Sequence, residues 1–228
     1  MKPYDHQGRK NYLNHTAVLF DLDGTLLYTL KDIADSVNAG LKYLGFPPHK
    51  LDKYKYLVGD GRESLAVRAL PEHSRDAVTV SKLVCYIDDE YSKRWANNSL
   101  PYEGISDLLD ALTTQGTKIA ILSNKPHEET QLMVSRLLGK WQFDVVAGLQ
   151  SSVPKKPAPF AAMQITKRLS IYPQEFLYLG DSDIDMKTAI AAGMYPVGAL
   201  WGYRTAEELL TAGAKKLVQH PTDVLLLL

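Results

Sequence analysis

The chain has 228 residues, enough for one large domain with an insertion or for two domains. Its 26 basic and 26 acidic residues balance, so no net charge draws it to nucleic acid or to an anionic membrane. The single cysteine, Cys85, excludes an internal disulfide, and residues 1–16 lack the apolar segment of a signal peptide. We therefore expect a cytoplasmic protein that binds neither nucleic acid nor membrane.

Residues 1–16 are polar and are predicted to form an N-terminal tail, so the first organised stretch begins at residue 17. Ala17-Val-Leu-Phe20 is a short apolar run, typical of a strand buried on both faces in a parallel sheet. It ends in Asp21 and Asp23, which an extended chain aims in the same direction, and Gly24 lets the backbone turn at once. Two carboxylates at the end of a buried strand need a cation or a proton between them. Asp-x-Asp-Gly is also common in solvated turns, so this motif alone leaves both interpretations open.

A helical block interrupts the chain after this strand. Between residues 29 and 100 the sequence predicts helices and no strand, and Thr29 is placed to cap the first helix. We interpret residues 29–100 as a small all-helical cap domain inserted after the first strand. The predicted helices span residues 29–44, 62–70 and 74–95, and the predicted hinges lie near residues 26–30 and 97–102.

From residue 101 onward, strands and helices alternate with short connections. The predicted strands are residues 118–122, 143–147, 176–179 and 195–199, and the predicted helices are residues 105–114, 127–138, 159–169 and 183–192. This alternation is typical of a parallel sheet that is covered by helices on both faces. We therefore predict an α/β, Rossmann-like catalytic core, formed by residues 17–28 and 101–228.

Three polar clusters follow predicted strands of this core. Ser123 and Asn124 follow one strand, Lys155 and Lys156 lie in the loop after the next, and residues 180–185 follow a third. The carboxyl ends of neighbouring parallel strands converge on one crevice, where ligands bind. Each cluster alone is more often a helix cap, a solvated pair or a turn. Together with the two aspartates they offer a nucleophile, an acid, a hydroxyl, an ammonium group and a cation site.

These stretches resemble the haloacid dehalogenase-like phosphohydrolases, and within them the phosphoglycolate phosphatase-like branch. The stretches that carry the resemblance, in family order, are Phe20-Asp21-Leu-Asp23-Gly24-Thr25-Leu26, Ser123-Asn124-Lys125, Lys156-Pro157-Ala-Pro159 and Gly180-Asp181-Ser182-Asp183-Ile184-Asp185. Residues 58–65 and 201–209 are similar to the same branch. One departure is Tyr28, where the family often has an acidic residue.

The resemblance implies a Mg²⁺-dependent hydrolase of phosphomonoesters that works through an aspartyl-phosphate. It makes Asp21 the nucleophile and Asp23 the general acid and base, while Ser123 and Lys156 hold and neutralise the transferring group. Substrate contacts fall to Gly24, Thr25, Asn124, Gly61 and Arg62. The metal ligands would be Asp21, Asp23 through its backbone carbonyl, Asp181 and Asp185, which binds through water or supports the site from outside.

The leading substrate is 2-phosphoglycolate, because Arg62 could meet its carboxylate, although Arg62 could equally be a surface residue at a helix start. The expected partner is thus a small phosphorylated metabolite, and the expected assembly is a monomer or homodimer. A pyrophosphatase, a nucleotidase and a sugar-phosphate phosphatase or mutase of the same fold remain alternatives. A non-catalytic phosphate-binding or regulatory protein is the alternative from another class, and the presence of both Asp21 and Asp23 disfavours it.

Overall fold

The computed structural model describes residues 15–228, so nearly all of the predicted N-terminal tail lies outside the described residues. Every helix within residues 15–228 is too short or too polar to cross a lipid bilayer.

Six parallel strands form the central sheet. They are β1 (Ala17–Phe20), β4 (Lys118–Pro126), β5 (Val145–Leu149), β6 (Phe176–Gly180), β7 (Tyr195–Ala199) and β8 (Lys216–Val218). Their order is β5-β4-β1-β6-β7-β8, so β1 lies inside the sheet between β4 and β6. This arrangement confirms the predicted α/β, Rossmann-like parallel sheet.

Helices cover both faces of the sheet, which explains why all four residues of β1 are buried. Val18 and Phe20 pack into an apolar cluster on one face, and Ala17 and Leu19 into a second cluster on the other. Successive residues alternate between the faces, as a strand requires. The covering helices are α5 (Ile105–Gln115), α6 (His127–Leu137), α7 (Phe160–Leu169), α8 (Asp183–Ala191) and α9 (Ala206–Thr211).

The structure corrects several boundaries of this region. β4 continues to Pro126 rather than ending at residue 122. β5 begins at Val145 rather than at residue 143, and just before it the Asp144 carboxylate accepts the N–H of Ile119 (3.0 Å). β8 and α9 were not predicted. Both are short, three and six residues, and so carry too little periodicity to be detected.

The segment from residue 29 to 99 is helical and has an apolar cluster of its own. It contains α1 (Leu30–Tyr43), α2 (Leu51–Leu57), α3 (Arg62–Ala69) and α4 (Ala77–Arg94). Val37, Leu41 and Leu83 are fully buried in this cluster, where α1 packs along α4. The apolar side chains of these helices therefore pack largely on one another.

The two ends of the helical segment lie side by side. β2 (Leu27–Tyr28) pairs antiparallel with β3 (Leu100–Pro101), so the chain leaves and re-enters the core through one two-stranded ribbon. Asp32, in the first turn of α1, is 1% exposed and accepts the backbone N–H groups of Asn98 (2.9 Å) and Ser99 (2.8 Å). Its carboxylate also accepts from both of their side chains. One buried carboxylate thus joins the start of the segment to its end.

The predicted capping role of Thr29 is wrong. Its side chain makes no bond to the first turn of α1 and instead donates to Asp23 Oδ1 at 2.7 Å. The backbone of Thr29 has φ −122° and ψ −4°, outside the extended region from which an N-cap oxygen can accept the N–H groups of the first turn.

Removal of the Asp32 carboxylate is expected to destabilise the protein. The Asp32→Ala substitution leaves the buried donors of Ser99 and the partly buried donors of Asn98 without an acceptor, which costs about 2–4 kcal/mol of unfolding free energy. Urea denaturation measures this loss. Asp35→Ala is the matched control, because Asp35 lies one turn later in α1 in a largely exposed ion pair with Lys31 and should cost less than about 1 kcal/mol. Equal losses for the two variants would contradict the tethering role of Asp32.

Candidate active site

The predicted polar residues meet at the carboxyl end of the sheet. Asp21 follows β1, Ser123 and Asn124 belong to the last part of β4, and Asp181 follows β6. Because these three strands are neighbours, their ends open onto one crevice. A cavity of about 70 Å³ lies there, between the sheet and the helical segment. Its polar and glycine lining includes Asp21, Asp23, Ser123, Asn124, Lys125, Gly59, Gly61, Arg62, Tyr91 and Tyr203.

Three carboxylates form a buried acidic cluster at this crevice. Asp21, Asp181 and Asp185 each offer an oxygen, and these oxygens lie within 4.8 Å of one another. Burial, followed by the charge of Asp185, raises the pKa of Asp21 well above its usual value and that of Asp181 to about 7. Crowded carboxylates of this kind fit a divalent cation, and an oxygen-only donor set suits Mg²⁺.

Lys156 offsets part of this negative charge. Its ammonium lies 2.7 Å from both Asp21 Oδ1 and Asp185 Oδ1, and it donates to the backbone oxygen of Leu122 at 3.1 Å. Burial alone lowers the pKa of Lys156, but the Asp185 and Asp21 carboxylates outweigh it and raise that pKa well above its usual value. Lys156 is therefore charged, and one positive charge faces three acidic groups.

Asn124 holds Lys156 in place. The Asn124 side chain accepts the backbone N–H of Lys156 (2.9 Å) and donates to its backbone oxygen (3.1 Å). The same amide donates to Gly59 O at 3.1 Å, on the helical side of the cavity. The sequence predicted a substrate contact for Asn124 but gave no sign of these side-chain bonds.

Asp181 is held in place by Thr25, which was predicted to contact the substrate, and by the backbone of Tyr203. Thr25 is fully buried and donates to Asp181 Oδ1 at 3.2 Å, while the N–H of Tyr203 donates to Oδ2 at 2.7 Å. A methyl group at Gly24 or Gly202 would collide with the Asp181 carboxylate. Gly24 and Thr25 thus pack against the acidic cluster, and their substrate contacts stay predictions.

Asp23 lies at the cavity with two partners. It accepts from Thr29 (2.7 Å) and pairs with the ammonium of Lys125 at 3.2 Å. Lys125 also donates to the hydroxyl of Tyr91, in α4, at 3.1 Å. Neither Lys125 nor Tyr91 has a role predicted from the sequence. A charged residue within the matched Ser123-Asn124-Lys125 stretch was an available signal for Lys125, but no local pattern marks Tyr91.

The helical side of the cavity is joined to the core by ion pairs. Arg62 bonds to Glu129 of α6 at 2.6 Å and also to Asp88 of α4. Lys155, which is exposed to solvent as predicted, also pairs with Asp60 of the helical segment at 2.7 Å. Asp183 is partly exposed and pairs with Lys187, outside the acidic cluster.

Comparison with known proteins agrees with the motifs. The sequence model of the haloacid dehalogenase-like hydrolases matches residues 18–199. A phosphoglycolate phosphatase of Xylella fastidiosa is 33% identical over 205 residues, which cover 90% of this chain and 89% of that relative. One of Aquifex aeolicus is 32% identical over 188 residues, covering 82% and 85%.

Solved structures show the same fold. The crystal structure of a predicted phosphoglycolate phosphatase from Haemophilus somnus has a TM-score of 0.86 at 26% identity, over 93% of this chain and 97% of the other. CbbY from Rhodobacter sphaeroides, in complex with phosphate, has a TM-score of 0.76 at 23% identity, over 92% and 96%, which supports the fold alone.

The matched region runs from β1 to β7 and includes every residue of the acidic cluster. The chain is therefore a hydrolase with a Rossmann-like α/β core. It belongs to the haloacid dehalogenase-like hydrolase family, as its motifs predicted, and it is a phosphatase of that family.

The acidic cluster predicts a stability that depends on both pH and divalent cations. The pKa of the Asp181 carboxyl is raised from 3.8, its value in an unfolded chain, to about 7 in the folded protein. Its protonation therefore stabilises the folded state fully below pH 3.8, and this contribution is lost as the pH rises towards 7. Without divalent cations, the unfolding free energy should therefore fall across this range. Mg²⁺ at a hundred times its dissociation constant should restore about 2.7 kcal/mol at pH 8 and much less at pH 5, where protons compete.

Thermal unfolding with and without Mg²⁺ at the two pH values measures this effect. Asp181→Asn should remove most of the gain. Asp183→Asn is the matched control, because this neighbouring carboxylate lies outside the cluster, and it should leave the gain unchanged. An equal gain at both pH values, or in both variants, would argue against a metal site at Asp181.

Proposed function

We propose that this phosphatase hydrolyses 2-phosphoglycolate, with Mg²⁺ bound and through an aspartyl-phosphate intermediate. The observation that carries the proposal is the buried cluster of Asp21, Asp181 and Asp185 beside Lys156, at a small cavity. The names of the relatives from Xylella fastidiosa and Aquifex aeolicus support the substrate.

In the proposed reaction Asp21 is the nucleophile. Its carboxylate attacks phosphorus, a P–O(Asp21) bond forms, and the bond from phosphorus to the ester oxygen breaks. Asp23 donates its proton to the departing oxygen. It then takes a proton from the water that attacks the aspartyl-phosphate, which regenerates Asp21 and releases phosphate. The position of Asp23 supports this role, because Asp23 and Asp21 both line the cavity.

Ser123, Asn124 and Lys156 are proposed to hold the phosphoryl group. Ser123 Oγ accepts the N–H of Lys125 at 3.1 Å, which leaves the hydroxyl hydrogen available for a phosphate oxygen. Lys156 keeps Asp21 in place at 2.7 Å and offsets the charge that spreads over the transferring group. The backbone N–H groups of Asn124 and of the Gly61 loop would supply further donors.

The ligands proposed for Mg²⁺ are Asp21, Asp181, Asp185 and the backbone carbonyl of Asp23. When bound, the ion would neutralise the carboxylates and the phosphoryl oxygens and so lower the repulsion between nucleophile and substrate. The hydrogen bonds from Thr25 and Tyr203 to Asp181 would keep that ligand oriented.

Residues 29–100 are proposed to act as a cap over a core of residues 17–28 and 101–228. Closure of such a cap excludes water from the reaction. The contacts of Arg62 with Glu129 and of Lys155 with Asp60 would hold it closed. The cavity beneath it, lined by both core and helical residues, would hold the substrate. A cytoplasmic location and a monomer or homodimer remain predictions.

Phosphate release from a substrate panel tests the proposal. We expect turnover of 2-phosphoglycolate in preference to pyrophosphate, hexose phosphates and nucleotides, and its loss with a chelator. Asp21→Asn should lower kcat by about 10³-fold or more, because an amide is a poor nucleophile. Asp183→Asn serves as the active control. Preference for another ester would discard the substrate, and a folded protein that binds phosphate without releasing it would favour the regulatory alternative.

The role of Asp23 predicts a dependence on the leaving group. Asp23→Asn should lower kcat for 2-phosphoglycolate by about 10²–10⁴-fold, because its alkoxide needs a proton to leave. The loss in the first half-reaction should be much smaller for p-nitrophenyl phosphate, whose phenolate leaves without one. Burst-phase kinetics with both substrates separate the two half-reactions. Equal losses in that half-reaction would be inconsistent with general acid catalysis by Asp23.

A further inference from the structure

We infer that Lys125 determines specificity by binding the carboxylate of the substrate. The inference rests on the proposed function and assigns the recognition of 2-phosphoglycolate to a residue that the catalytic scheme does not use.

Lys125 lies beside the place where the leaving oxygen must be. Its ammonium is 3.2 Å from Asp23 Oδ1, the carboxylate proposed to protonate that oxygen. In 2-phosphoglycolate a single methylene separates the ester oxygen from the carboxyl carbon. The carboxylate therefore lies within about 3–4 Å of the ester oxygen, by ordinary bond lengths. A substrate placed for protonation by Asp23 thus brings its carboxylate to Lys125.

The ammonium of Lys125 has a donor left for such a ligand. Lysine carries three N–H donors, and among residues 15–228 Asp23 and Tyr91 are the two groups that accept from them. Arg62, the other cation at the cavity, already faces two carboxylates, Asp88 and Glu129. A substrate carboxylate near Arg62 would meet the charges of both, whereas Lys125 pairs with Asp23 alone, which in the proposed reaction carries a proton when the substrate binds.

One part of the cavity is aliphatic and matches a methylene. Its aliphatic lining comprises Ile33, Val58, Leu65 and Ile87. A polar group buried against these side chains without a partner is costly. This aliphatic part suits the methylene that lies between the ester oxygen and the carboxylate of 2-phosphoglycolate.

Tyr91 positions Lys125 from the cap side. Its hydroxyl accepts from Lys125 at 3.1 Å, and its ring centre lies 4.7 Å from the same nitrogen. The hydroxyl in turn contacts the sulfur of Met133 at 3.4 Å. Tyr91 belongs to α4, so the cation is held in its recognition geometry only while the helical segment packs against the core.

Paired kinetics with 2-phosphoglycolate and ethyl phosphate test the inference, because ethyl phosphate has a methyl group in place of the carboxylate. Lys125→Met keeps an unbranched side chain, one atom shorter, and removes its charge. We expect kcat/KM for 2-phosphoglycolate to fall about 10- to 100-fold more than for ethyl phosphate, mainly through KM, as for the loss of one charged hydrogen bond. Asp23 keeps its bond from Thr29, so its position should survive.

The control is Lys140→Met, which removes an exposed lysine paired with Asp110, outside the lining of the cavity, and should leave the ratio unchanged. Tyr91→Phe keeps the ring but removes the acceptor for Lys125, so it should lower the ratio in the same direction by less. It also tests the inference if Lys125→Met does not fold, as judged by circular dichroism.

Equal losses for the two substrates, or no loss, would overturn the inference while the proposed function stands. A wild-type enzyme that does not prefer 2-phosphoglycolate over ethyl phosphate would overturn the substrate and the role of Lys125 together.

Discussion

The structure depends above all on the burial of three carboxylates around one ammonium. Asp21, Asp181 and Asp185 come from two different strand ends, and Lys156 reaches Asp21 and Asp185 at 2.7 Å from a loop. Such a cluster is unfavourable without compensating charge and hydrogen bonds, because burial penalises each ionised group. The surrounding chain supplies this compensation.

Much of the neighbouring sequence can be understood as support for that cluster. Gly24 and Gly202 leave room for the Asp181 carboxylate, and Thr25 donates to it. The Asn124 side chain hydrogen-bonds to both the N–H and the carbonyl oxygen of Lys156, which fixes the backbone from which the Lys156 side chain extends. The parallel sheet makes this possible, since it brings the ends of β1, β4 and β6 to one edge. Small residues and amides at these positions therefore have a packing reason as well as a chemical one.

The sequence alone was informative where a signal is local. The apolar run before Asp21 and the alternation after residue 101 predicted the parallel sheet, and the spacing of Asp21, Asp23 and Gly24 marked the site. Contacts between distant residues left no such signal. Threonine often caps helices, yet the hydroxyl of Thr29 donates to Asp23, because tertiary packing brings that carboxylate within 2.7 Å. The pairing of Arg62 with Glu129, 67 residues later, likewise depends on how the helical segment lies on the core.

Three cations at the site have different surroundings. This difference distinguishes the lysine proposed to act on the transferring group from the lysine proposed to bind the substrate carboxylate. Lys156 is enclosed by Asp21, Asp185 and a backbone oxygen, so its three donors are all used and its position is rigid. Arg62 pairs with Asp88 of α4 and with Glu129 of α6, so two carboxylates compensate its charge. Lys125 faces one carboxylate and a neutral hydroxyl. A buried cation with spare hydrogen-bonding capacity at an aliphatic cavity is the group that gains most from an anionic ligand, since desolvation strengthens the pair that forms. In the proposed scheme the core holds the reacting groups, and the boundary between core and helical segment distinguishes a phosphate ester that carries a carboxylate from one that lacks it.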